Sequence, residues 1–337
     1  MFNIVEKTIT VGNQEITLET GRIARQAGGS VLLTCGGTQL LITATAAKEA
    51  AANPSFFPLS VDYLEKLYSA GRIPGGYFKR ETKPTDREVL VSRLIDRPIR
   101  PLFPETYMVE TQIVAQVISY DPTVSPAVLG ILGASAALHI SDIPFAGPVA
   151  GLRVGLKDGA FTINPNESEL PGNELDLVVA GTKDAILMVE AAANFLSEEK
   201  MIEAIEFAHK EIKKMCEVQE ELRKACGKAK RAVPAAPDSA DIRNALQKKY
   251  AKPLKDAYNL PVKAERKAKI DSIKQEAKAA LVPADQPELE KIFKFLFEML
   301  EYKTLRSSIL KDNKRVDGRT KTDIRAIDCQ IGRSEER

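Results

Sequence analysis

The sequence predicts an α+β layered domain of about 225 residues followed by an all-α helical domain. Short β-branched runs joined by glycine-bearing turns dominate the first part, two helical segments interrupt them, and a long amphipathic helix closes it. Beyond the Pro/Ala-rich stretch 233–237 the chain becomes helix-forming and strand-poor to about Leu310, with breaks expected at Pro253, Pro261, Pro283 and Pro287.

Residues 5–11 and 15–19, around Gly12-Asn13-Gln14, read as a hairpin, and 31–35 and 39–45, around Gly36-Gly37-Thr38, as a second. Asn53 to Pro58 breaks the pattern before a strand at 59–64. The segment 71–81 reads as a loop leading into a helix, for which Thr85 and Glu88 have capping-box spacing. Val89, Leu90, Leu94 and Ile95 are expected to form its apolar face, and Pro98 to stop it. A strand at 109–120 precedes a helix opened by Ser125-Pro126, whose Gly130, Gly133, Ala134, Ser135 and Ala136 predict close packing in the interior. Strands resume at 147–190 with a turn at Lys157-Asp158-Gly159, an apolar run at 175–180 and a strand at 185–189, and Ser197 caps a helix running towards Gly227.

Composition narrows the function. Forty-eight Lys and Arg against 46 Asp and Glu give a net charge of +2, so any grip on a polyanion must come from local patches. Four dispersed cysteines without a C-x-x-C pair, and only His139 and His209, argue against a disulfide framework, a zinc site or histidine-based catalysis. The N-terminus lacks a signal-peptide pattern and no apolar run is long enough to cross a bilayer, which predicts a cytoplasmic protein that does not enter a membrane.

Three local features could bind nucleic acid. Tyr77-Phe78-Lys79-Arg80 sets two aromatics beside two cations, as base stacking with phosphate contact requires. A buried aromatic anchor with surface charges is the other reading. Arg93 and Arg97 share a helical face and Arg100 follows, so three guanidinium groups could line a phosphate-binding ridge, or pair internally with Glu88 and Asp96. Residues 241–280 carry eleven Lys or Arg against five acids, a surplus of six that suits either an RNA-facing surface or an ordinary solvated helix face.

The segments 71–75, 77–80, 93–104, 133–138 and 175–182, in this order, resemble the first half of the bacterial polynucleotide phosphorylase family, and the resemblance extends to about Gly332. It implies a ribonuclease PH-like core (ribosomal protein S5 domain 2-like) at 1–227, divided into 1–145 and 146–227. A linker at 228–237, an all-helical RNA-facing domain at 238–310 and the truncated start of a second such core at 311–337 are implied to follow. The implied activity is polyribonucleotide nucleotidyltransferase: 3′-to-5′ phosphorolysis of RNA by inorganic phosphate, releasing nucleoside diphosphates. Phe78, Lys79 and Arg80 match the loop that narrows the family's central channel, and Arg93, Arg97 and Arg100 match channel-side arginines.

In this family the working site lies in the second core, where a serine turn holds phosphate and two Asp with a Lys serve a divalent metal, Mg2+ or Mn2+. The corresponding first-core positions retain only Ser125 of the serine turn and Asp176 of the acidic set, so no catalytic or metal-binding residue is expected here and the isolated chain is expected to be inactive. Ser334-Glu335-Glu336-Arg337 departs from the family pattern, which suggests a truncated, frameshifted or split form. Expected partners are single-stranded RNA, two further copies in a homotrimer, a separate second-core polypeptide and components of an RNA-degradation complex. A catalytically silent RNA-binding or assembly scaffold is the alternative.

Overall fold

The computed structural model describes residues 3–50, 56–77, 79–81, 83–233, 239–283, 286 and 288–332. They fall into two compact units, residues 1–235 and 236–337.

The first unit contains two sheets. β1 (Val5–Val11), β2 (Gln14–Thr20), β3 (Gly29–Cys35) and β4 (Thr38–Ala46) form antiparallel hairpins, β6 (Thr111–Ser119) pairs antiparallel with β4, and β5 (Leu59–Glu65) adds to β6 in parallel. The order is β1-β2-β3-β4-β6-β5. The second sheet is antiparallel, in the order β10-β9-β7-β8, from β7 (Ala150–Lys157), β8 (Ala160–Ile163), β9 (Leu175–Gly181) and β10 (Ile186–Ala193). The β7–β8 turn is Asp158-Gly159, at φ of 50° and 78°, a pair of left-handed positions that Asp and Gly tolerate.

Helix α2 (Pro126–Ile140) joins the two sheets, packing on β3, β4 and β6 and also on β7. Its small residues permit this approach. A Cβ on Gly130 would lie 2.7 Å from Ile95 Cδ1, and one on Gly133 would overlap Ile42. Helix α3 (Glu198–Cys226) covers β1, β7 and β9, and the Ser197 side chain accepts from the Lys200 amide at its start.

Helix α1 (Asp86–Ile99) packs on β5 and α2, and differs from expectation twice. Pro98 does not stop it. Proline forfeits only its own amide bond, the backbone stays helical, and Arg100 still donates its N–H to the Asp96 carbonyl before a 3-10 turn at Arg100–Leu102. The apolar face is also rotated: the buried residues are Glu88, Val91, Ile95, Pro98 and Ile99, while Val89 and Leu90 are exposed. The capping box explains the rotation. Glu88 turns inward and its carboxylate accepts from the Thr85 amide at 2.7 Å, the Thr85 hydroxyl at 3.0 Å and the Glu65 amide of β5 at 2.8 Å.

Residues 228–233, expected as linker, are bound to the first unit. Lys228 N donates to Ile140 O, Arg231 N to Asp142 O, and Lys230 Nζ to the carbonyls of Leu138 and Ser141 at 2.8 Å each. They satisfy the C-terminal carbonyls of α2.

The second unit is a helical bundle of α4 (Ala240–Tyr258), α5 (Lys263–Leu281) and α6 (Glu288–Lys311) around Leu246, Tyr250, Leu254, Ile273, Phe293 and Phe297. Pro253 lies inside α4 and does not break it. Pro261 and Pro283 fall between helices, and Pro287 lies outside the described residues. Described residues beyond α6 form turns, fastened by one Arg266 nitrogen, Nη1, which donates to the carbonyls of Leu260 at 2.8 Å and Val316 at 3.1 Å.

Candidate nucleic-acid interface

Tyr77, Lys79 and Arg80 sit on a loop whose two ends converge on Leu67. At one end Arg72 N donates to Leu67 O, with Gly71 at φ 68° making the turn; at the other the Glu81 side chain accepts from Leu67 N at 2.8 Å and its carbonyl from Lys66 Nζ at 3.1 Å. The base is fixed to the sheet through Tyr68, whose hydroxyl accepts from Gln116 Nε2 at 2.7 Å. This presents the loop outward: Tyr77 is 94% exposed, and Lys79 and Arg80 are exposed without a side-chain partner among the described residues. The buried-anchor reading therefore fails for Tyr77. Phe78 lies outside the described residues.

The three arginines of the predicted ridge do not behave alike. Arg93 is exposed and has no partner among the described residues. Arg97 meets Glu190 of β10 at 2.9 Å in a pair open to solvent on both sides. Arg100 is turned back into the fold: it grips Asp96 with Nε and Nη2 at 2.9 and 2.7 Å, donates to the carbonyls of Phe57 at 3.3 Å and Leu59 at 3.1 Å, and lies 5.9 Å from the Phe57 ring centre. Of the two internal acceptors expected, Asp96 is used; Glu88 is committed to its cap.

Ser125 and Asp176 also have internal partners. The Ser125 hydroxyl donates to Glu167 Oε1 at 3.1 Å, and the same carboxylate oxygen accepts from Arg87 at 2.6 Å, while Arg87 reaches Glu65 at 3.3 Å. Burial opposes ionisation of Glu167, but the Arg87 hydrogen bond and charge outweigh it and hold the carboxyl below its ordinary range. The Ser125 hydroxyl thus hydrogen-bonds an ionised carboxylate. The next residue, Pro126, has no N–H to offer. Nothing in the sequence pattern marks Glu167, 42 residues away, as the acceptor of the Ser125 hydroxyl.

Asp176, on β9, lies 3.1 Å from Arg153 Nε of β7. No three His, Cys, Asp or Glu side chains among the described residues converge on a point that could hold a metal ion. This donor set does not fit the divalent ion that the family resemblance implies, because a lone carboxylate already neutralised by a guanidinium cannot supply two or three hard oxygen ligands. His139 is fully buried on α2, 3.2 Å from Glu220, and burial pushes its pKa down to about 4 against the opposing pull of that carboxylate. No helix among the described residues is long and apolar enough to cross a membrane.

The family described as "3' exoribonuclease family, domain 1" matches residues 12–144, "3' exoribonuclease family, domain 2" matches 147–211, and "Polyribonucleotide nucleotidyltransferase, RNA binding domain" matches 241–320. The polyribonucleotide nucleotidyltransferase of Magnetococcus marinus is 45% identical over 335 residues, covering 98% of this chain and 48% of that protein. That of Pelagibacter ubique is 45% identical over 332 residues, with the same coverage, and that of Roseiflexus sp. 47% identical over 330 residues, covering 96% and 44%. The chain spans about half the length of the curated relatives it matches. With two exoribonuclease segments and an RNA-binding segment in succession, and such identity across almost its whole length, the chain belongs to the polyribonucleotide nucleotidyltransferase family.

Proposed function

We propose that this chain acts as the RNA-holding half of a phosphorolytic 3′-to-5′ exoribonuclease, corresponding to the N-terminal half of its relatives, and that it does not itself carry the chemistry. The observation that carries this reading is the contrast inside the first unit. Lys79, Arg80 and Arg93 are exposed without side-chain partners among the described residues, whereas Ser125 and Asp176 are each engaged by a charged neighbour. In this reading Lys79, Arg80 and Arg93 contact phosphates, Phe78 supplies a stacking ring, Arg97 exchanges Glu190 for phosphate, and Arg100 holds the scaffold. The phosphorolytic step, in which an oxygen of inorganic phosphate attacks the phosphorus of the terminal phosphodiester, the bond to the preceding 3′-oxygen breaks, and a nucleoside diphosphate and an RNA with a free 3′-hydroxyl are released, falls to residues outside those described, together with Mg2+ or Mn2+. Single-stranded RNA, a homotrimer, a second-core polypeptide, RNA-degradation partners, a cytoplasmic setting and the domain limits 1–227 and 238–310 belong to the same proposal.

The test uses the purified chain with poly(A), inorganic phosphate and Mg2+. Salt-dependent binding of a single-stranded oligoadenylate is expected, with no release of ADP. Metal-dependent ADP release by a clean preparation would overturn the reading. Phosphorolysis restored by adding a second-core polypeptide favours the half-enzyme, and RNA binding without such rescue favours a silent scaffold.

A further inference from the structure

Helix α6 is apolar on two opposite faces. Phe293, Leu296, Phe297 and Leu300 are buried in the helical bundle. Phe295, Met299, Tyr302 and Leu310 lie on the other side of the helix and are 50, 38, 57 and 60% exposed, whereas α4 and α5 expose no large hydrophobic side chain among the described residues. Phe295, Met299, Tyr302, Arg306 and the half-buried Ile309 succeed one another at steps of four, three, four and three residues. That spacing lays a straight seam along a helix, the pattern of a helix that packs lengthwise on another. A helix apolar on both sides is ordinarily buried on both sides.

Two charges on this side of α6 lack partners of opposite sign. Glu298 is exposed with no ion pair among the described residues, and Arg306 reaches only the Tyr302 hydroxyl, at 3.5 Å. They stand eight residues apart, about 12 Å of helix, and cannot pair with each other. Between two copies of the chain they can. In an antiparallel pair whose two-fold axis passes Tyr302, residues equally far before and after Tyr302 come level. Glu298 of each copy then meets Arg306 of the other, Phe295 meets Ile309, and Met299 meets Leu305. A parallel pair in register would instead set Glu298 beside Glu298 and Arg306 beside Arg306, which repel. The charge pattern is therefore complementary to itself, and only in the antiparallel direction.

We propose that the exposed seam of α6 is a self-recognition surface, on which a second copy of this chain docks antiparallel about a two-fold axis at Tyr302. This goes beyond the RNA-holding reading and does not depend on it. It is also distinct from the homotrimer of that reading, because a three-fold ring contains no two-fold contact within it; the seam joins whole assemblies in pairs. One helix packed on one helix is smaller than a standard protein interface, so the association is weak and is expected at chain concentrations on the order of 10–100 μM.

The experiment is sedimentation of the full chain over a concentration series reaching about 200 μM, well above the expected midpoint. The species present at low concentration should double in mass as concentration rises. Glu298→Arg alone sets Arg against Arg and Arg306→Glu alone sets Glu against Glu, so each should weaken the doubling at least tenfold. A mixture of the two single variants, and the double variant Glu298→Arg with Arg306→Glu, should each recover it to within about threefold. Recovery on mixing is the mark of an antiparallel contact between like surfaces. Both side chains are exposed, so the melting temperature should hold. Should either variant fail to fold, Tyr302→Cys in a Cys329→Ser background must give a disulfide-linked dimer on mild oxidation, since the axis brings the two thiols together. Absence of doubling in the unmodified chain overturns the proposal, as does doubling that ignores the charge reversals or that mixing does not recover. A second-core polypeptide that binds the unmodified chain but not Tyr302→Glu, with no doubling, would assign the seam to that partner and overturn self-recognition. None of these outcomes touches RNA binding through Lys79 and Arg80, which the oligoadenylate assay reads separately.

Discussion

The three arginines of the α1 ridge should separate in a paired assay of stability and RNA binding. Arg100→Ala removes a two-point grip on Asp96, two bonds to the carbonyls of Phe57 and Leu59, and a contact with the Phe57 ring. An exposed ion pair contributes ~0.2–1 kcal/mol and each carbonyl bond ~0.5–1.5. The side chain is 42% exposed, and allowing for solvent screening the total is about 2 kcal/mol. In a cooperative unit of this size that lowers the melting temperature by roughly 4–8 °C. Arg97→Ala breaks only the open pair with Glu190 and should cost less than about 1 kcal/mol. Arg93→Ala removes nothing the fold uses, so its melting temperature should be unchanged while the salt slope of RNA binding falls by about 0.7. Thermal unfolding followed by circular dichroism, with anisotropy titrations on the same preparations, reads both axes. The reasoning is refuted if Arg100→Ala leaves the melting temperature unmoved while flattening the salt slope as much as Arg93→Ala, since that arginine would then face RNA and not the fold.

Two further predictions concern buried charge. Glu88→Gln should destabilise the first unit by about 1–3 kcal/mol, because its carboxylate caps α1 and also satisfies the Glu65 amide. Burial alone would raise the pKa of Glu88, but the Thr85 and Glu65 amides outweigh it and hold the carboxyl below its ordinary value. Its contribution is therefore present above the usual carboxylate range and fades as pH falls through the folded-state value, and the acid limb of the stability curve should be shallower in Glu88→Gln. His139 titrates in the opposite sense from a histidine that gains a partner. Burial, with Arg223 of α3 and Lys230 beyond it, disfavours its cation, and Glu220 only partly compensates. The unfolded chain takes up the proton first, so stability falls as pH drops from about 6.5 towards about 4, by up to about 3 kcal/mol. Urea midpoints measured across that window should slope in the native chain and flatten in His139→Gln; equal slopes would remove His139 from the account.

Much of the fold was legible because local chemistry dictated it. Gly12, Gly36 and the Asp158-Gly159 pair sit at positive φ in tight turns, which is why the three turns joining β1 to β2, β3 to β4 and β7 to β8 could be placed from the sequence. Thr85 and Glu88 marked the start of α1, yet the inward turn of the Glu88 carboxylate reassigned the helix face. Hydrophobicity alone put Val89 and Leu90 on the wrong side. Proline was over-read at Pro98 and Pro253, both of which sit inside helices. The candidate interface was half visible. The aromatic-basic segment is a run of neighbours, whereas the partners that sort the arginines are distant in sequence: Glu190 stands 93 residues from Arg97, and the Phe57 carbonyl 43 from Arg100.

Every one of the 15 residues of α2 is buried, and the helix packs on strands of both sheets. The two exoribonuclease segments, 12–144 and 147–211, are therefore separate in sequence but not in thermodynamics, since they share one apolar cluster that closes around this helix. Neither sheet can open without exposing α2. The amides of α2 should thus be among the last in the chain to exchange with deuterium, and only through global unfolding of the first unit. Lys79 and Arg80 are carried on a segment tied to this same unit through Leu67 and Tyr68.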